Sequence, residues 1–154
     1  MTKRILLLLL AVLLCAGALT ACGEEKTVTD PAALAEALAA ADIYSTDLYP
    51  VDASLVGSVL AVTAPYTSAY VYATAGDAAD EIAVLTAADE TAAKAIYDQL
   101  TAHRTAFSQL YSTYAPDQCP RIDGGLLVQI GTAVVWCVSN DTDAAHAILE
   151  SHTK

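Results

Sequence analysis

The sequence predicts an α+β domain: a four-stranded antiparallel sheet from two strand–strand–helix units, with the two long helices on one face and further helices preceding it. Three observations carry this. Two apolar runs, Leu126–Ile130 and Ala133–Val138, flank Gly131-Thr132, a two-residue hairpin signal. A helical stripe of Ala93, Ile96, Leu100, Phe107, Leu110 and Tyr114 starts behind Asp89 and stops at Pro116. Residues 82–96 also lie over residues 134–148 at an offset of 52, matching Asp89 with Asp141, the central alanines with one another, and Ile96 with Ile148.

Each element has a local reason. Asp30-Pro31 supplies an N-cap and a proline at the first helical position. The helix they open runs to about Ala41, with Leu34 and Leu38 one turn apart. Residues 42–50 read as irregular. Asp52 caps a short helix through Leu55 and Val59 that ends before Pro65. Ser68–Thr74 is rich in Tyr, Val and Thr and favours a strand. Gly76-Asp77 is a turn signal, and Glu81–Thr86 is a second strand. Asp141 opens the final helix, which ends near Glu150.

The hairpin separates two sheet faces. Ile130 opposes Ala133, Val128 opposes Val135, and Leu126 opposes Cys137, an apolar face expected under the two long helices. The other face, with Leu127, Gln129, Val134, Trp136 and Val138, is apolar too and needs a cover. The N-terminal helices would serve, as would a partner or ligand.

The amino end speaks to the compartment. Lys3-Arg4 precedes an apolar run at residues 5–14, and small residues follow as far as Leu19-Thr20-Ala21-Cys22. A basic start, a short apolar core and a small-residue cleavage site mark a secretory signal. The run is shorter than the roughly 20 residues of a membrane span. Leu19-Thr20-Ala21-Cys22 resembles the lipobox of bacterial lipoproteins, whose cysteine accepts the lipid. The expected organisation is a signal peptide at 1–21, a lipidated Cys22, a polar tether at 22–29 and one domain at 30–154. The chain is thus expected to be an extracytoplasmic lipoprotein, held to the cell membrane by palmitate-type acyl chains.

Removing residues 1–21 leaves five basic residues against 18 acidic ones, a net charge of −13. Such a chain has no basic patch for nucleic acid. Cys119 and Cys137 remain in a compartment where disulfides persist, and a bridge between them is expected. The alternative is a buried Cys137 facing the helices and a free Cys119.

Residues 55–149 resemble a family of bacterial lipoproteins, the domain of unknown function numbered 4358. The resemblance rests on Tyr70-Val71-Tyr72, on Asp80-Glu81-Ile82-Ala83-Val84-Leu85-Thr86-Ala87-Ala88-Asp89 leading into a long helix, on Tyr114-Ala115-Pro116-Asp117-Gln118, and on the last hairpin entering Val138-Ser139-Asn140-Asp141. These motifs are structural punctuation. The resemblance implies no activity and no catalytic residues, and Cys119 and Cys137 depart from the family pattern.

Signals for chemistry are sparse. His103 sits on the long helix's apolar stripe, a packing position. His146 and Glu150 have metal-ligand spacing on one helix face, but two ligands do not make a site. Asp77, Asp80 and Glu81 read as a solvated acidic turn without the spacing of a calcium loop. Nucleophile motifs and phosphate loops are missing. No metal, cofactor or catalytic residue is expected. Tyr70, Tyr72 and Trp136 are the candidate contact surface, on strands and amphipathic. The expected function is a non-enzymatic binding or interaction module for an envelope protein or small ligand. The alternative is an envelope hydrolase or accessory enzyme.

Overall fold

A computed structural model describes residues 26–154. The expected signal peptide at 1–21, Cys22 and residues 23–25 of the expected tether lie outside the described residues. The domain is α+β, built on one antiparallel sheet of five strands in the order β1-β2-β3-β5-β4. These are β1 (Leu48–Pro50), β2 (Ser68–Thr74), β3 (Glu81–Thr86), β4 (Leu126–Ile130) and β5 (Ala133–Val138). The helices are α1 (Pro31–Ala39), α2 (Val56–Val59), α3 (Glu90–Tyr114), α4 (Cys119–Asp123) and α5 (Thr142–Ser151), with a 3-10 turn at Pro116–Gln118.

Three of the four expected caps act as the sequence indicates; Asp52 instead accepts from the Ser54 amide and hydroxyl, and α2 starts behind Leu55 without a side-chain cap. The Asp30 carboxylate accepts from the amides of Ala32 and Ala33, Asp89 from Ala92, and Asp141 from Ala144. Each satisfies backbone donors that the first helical turn leaves without a partner. The hairpin register is also as read, with Ile130 opposite Ala133, Val128 opposite Val135 and Leu126 opposite Cys137. Gly131 takes a positive φ of 55° at the first turn position. A type II′ turn needs that conformation, and a side chain there would be strained.

Two features depart from the reading. The sheet has a fifth strand, β1, which pairs with β2 inside the stretch read as irregular. It is three residues long and ends in Pro50, so no alternation betrays it. The second departure concerns layers. The long helices lie on opposite faces of the sheet. α3 packs Ala93, Ile96 and Leu100 against Ala83, Leu85, Val134 and Trp136. α1 and α5 cover the other face, packing Leu34, Leu38, Ala145 and Leu149 against Ile82, Val84, Val135 and Cys137.

The sequence repeat is therefore not a structural symmetry. A twofold axis normal to the sheet would carry β3 onto β5 and keep both helices on one face. Ile82 and Val134, matched in the repeat, instead face opposite layers. Both faces of β3 and β5 are apolar, so the strand pattern alone cannot choose the helix side. On α3 the inward stripe continues through His103 to Tyr111, while Leu110 and Tyr114 are exposed.

The expected disulfide is absent. Cys119 packs with the α3 layer and its thiol contacts the Ser108 carbonyl at 3.4 Å. Cys137 lies in the layer across the sheet, its sulfur 3.5 Å from the Tyr44 hydroxyl. A bridge would have to pass through the sheet. Burial pushes the Cys137 thiol up to about 11. Denatured, unreduced protein is expected to titrate both thiols, and native protein to alkylate at Cys119 before Cys137. Protection of both thiols in the denatured chain would refute this arrangement.

Candidate functional site

The proposed aromatic surface divides between the two layers. Tyr70 opposes Val84 and Tyr72 opposes Ile82, which places both on the face covered by α1 and α5. Tyr70 is partly exposed, and Tyr72 packs against that core. Trp136 faces the other way, is fully buried, and is covered by α3, in a layer to which α2 and the residues after it add Val56, Leu60 and Val62 while α1 lies across the sheet. It is a core residue and drops out of the contact surface.

Asp80 and Glu81, read as a solvated turn, are both buried. They are adjacent and point to opposite faces. Glu81 Oε2 accepts from the Trp136 indole N–H at 2.7 Å and lies 2.8 Å from His103 Nε2. The His103 ring stacks on Phe107 and meets Trp136 edge-on. With its ring enclosed in this way, His103 orders the core.

Asp80 Oδ1 accepts from Arg121 Nη1 at 2.7 Å, and its Oδ2 accepts from the Ser45 amide at 2.9 Å. Arg121 also reaches Asn140 at 2.6 Å, the Ser45 hydroxyl at 3.1 Å, and Gln118. This cluster ties together the loop after α1, the start of β3, α4 and the end of β5. All four Arg121 contacts are met within the chain, so it reads as a structural clasp.

The remaining candidate is the outer edge of β4. The turn is closed by Ile130 and Ala133, so Leu126, Val128 and Ile130 bond to β5. The backbone groups of Leu127 and Gln129 point outward, and no backbone partner meets them among the described residues. A groove lies on each side of this edge. The larger, of about 870 Å³, runs between β4 and α5 and is lined by Lys26, His146, Glu150 and Lys154. The smaller, of about 270 Å³, lies between β4 and α3 beside Lys94 and Tyr97. Val128 and Gln129 line both.

The two sheet edges differ. β1 is blunted by its length and by Pro50, devices that deter strand addition. β4 reads Leu-Leu-Val-Gln-Ile, with no charge and no proline. His146 and Glu150 are exposed in the larger groove, and no group of three metal-ligating side chains forms among the described residues. None of the described helices is long and apolar enough to cross a membrane. The sequence reading missed this edge because strand order is a tertiary property that β4's own residues do not encode.

Comparison with family models, with curated proteins and with solved structures found no match to the chain.

Proposed function

We propose that the protein is an extracytoplasmic lipoprotein, anchored through Cys22, whose domain is a non-enzymatic binding module. Its resemblance to the lipoprotein family numbered 4358 belongs to the same proposal. The ligand is an extended segment of an envelope protein, added as a sixth strand beside β4. The observation that carries this is the free, uncharged β4 edge with a groove on either side. An added strand presents alternate side chains to opposite faces, and the two grooves stand where those side chains would go.

Two measurements test the proposal. A fatty-acid probe supplied to cells is expected to label the wild type and not Cys22→Ala; a labelled variant, or an unlabelled wild type, refutes the anchor. For the edge, extended peptides selected on the wild-type domain from a displayed library are expected to lose binding to Gln129→Pro. That residue's amide points outward, where proline is tolerated on an edge strand. Tyr49→Ala, on the opposite edge, is expected to keep binding. Peptides that bind a folded Gln129→Pro variant as well as the wild type would refute the β4 site.

A further inference from the structure

We infer that one end of the domain, the end bearing Lys26, the Gly131-Thr132 turn and Lys154, faces the bilayer, while the end bearing the Asp80–Arg121 clasp points away. The inference rests on the Cys22 anchor proposed above. It adds a docking surface whose partner is the lipid headgroup layer.

The first observation is where the tether joins the domain. Thr27 and Lys154 exchange two backbone hydrogen bonds, of 2.9 and 3.0 Å, and the Thr29 amide donates to the His152 carbonyl at 2.9 Å. Val28 and Thr153 form a bridge between those bonds. The chain is therefore fixed from Thr27 onward. Five steps from Cys22 to Thr27 reach at most about 18 Å when fully extended. Lys26 also lies against the β4–β5 turn, since a Cβ on Gly131 would sit 3.4 Å from its carbonyl oxygen. The seam and this turn are at the same end of the sheet.

The second observation is charge. At the far end stand Asp42, Asp47, Asp77, Asp117, Asp123 and Asp141; the arginines there are Arg121, already held by Asp80, and Arg104, which follows the Glu81-bonded His103. At the tether end are Lys26 and Lys154, with Lys94 one turn into α3 and paired there with Asp98. Asp30, Asp89, Glu90 and Glu150 are near them, but Asp30 and Asp89 are engaged as helix caps. The tether thus joins the less acidic end. An anionic leaflet repels a strongly acidic domain least when the acidic pole is turned outward. A short leash and a polar charge distribution select the same orientation.

The acylated full-length protein, isolated after fatty-acid labelling, is placed in lipid nanodiscs that contain nitroxide-headgroup lipids, and its amide NMR signals are followed. Gly131 and Thr132 are expected to lose most of their intensity. Gly76 and Asp77, across strands that rise about 20 Å, are expected to keep theirs. Inserting a long Gly/Ser segment between Glu25 and Lys26 is expected to remove the contrast. Lys26→Glu with Lys154→Glu is expected to weaken it in anionic discs more than in zwitterionic ones. Equal broadening at both ends of the acylated wild type, or stronger broadening at Asp77, overturns the orientation while leaving the anchor intact. A chain that carries no acyl group overturns both.

Discussion

Trp136→Ala is expected to lower the unfolding free energy by about 3–5 kcal/mol, the range for removing a buried aromatic side chain. Trp136 is fully enclosed between β5 and α3, so the indole leaves a cavity that α3 cannot close without shifting. The substitution also withdraws one of the two groups that meet the Glu81 carboxylate. Urea denaturation of the domain measures the loss. Tyr70→Ala is the control, because Tyr70 lies on the other face and is partly exposed. Equal losses for the two variants would mean that Trp136 is not the core residue described.

His103→Ala is expected to cost a similar amount, about 3–5 kcal/mol, by a different route. Removing the imidazole leaves the Glu81 carboxylate buried with only the Trp136 N–H. A buried charge stripped of its partner is more damaging than the loss of the pair as a whole. Adding Glu81→Gln to His103→Ala is therefore expected to recover part of the stability, since the amide is neutral and its oxygen still accepts from Trp136. If the two losses simply add, the cost of His103→Ala comes from the cavity alone and the pairing argument fails.

The elements legible in the sequence were those with local causes. Capping by Asp30, Asp89 and Asp141 is settled within three residues, and the Gly131-Thr132 turn sets the register of its own hairpin. Pro116 ends α3 where expected. What stayed hidden depends on distant groups. Arg121 is 41 residues from Asp80, and His103 is 22 from Glu81, so two buried acids look like a solvated turn when only neighbours are read. The side chosen by each helix was hidden too, because alternating either way along β3 and β5 gives an apolar face. Trp136 was rightly seen as needing a cover, and α3 supplies it. The β4 edge became visible only once the strand order was known.

The adjacent acids Asp80 and Glu81 have a consequence for how the sheet finds its alignment. In most half-buried strands, sliding by one residue exposes apolar side chains and is rejected on that ground. Residues 82–85 of β3 are buried on both faces, so hydrophobicity alone penalises such a slip weakly. The two carboxylates break the degeneracy. Sliding by one would turn Asp80 toward His103 and Trp136, and Glu81 toward the side on which the Ser45 amide and the Arg121 guanidinium meet Asp80. The shorter acid would stop short of its new neighbours, and the longer would overrun the Ser45 amide and the guanidinium. Two consecutive polar residues of unequal length thus act as an address tag for the central strand.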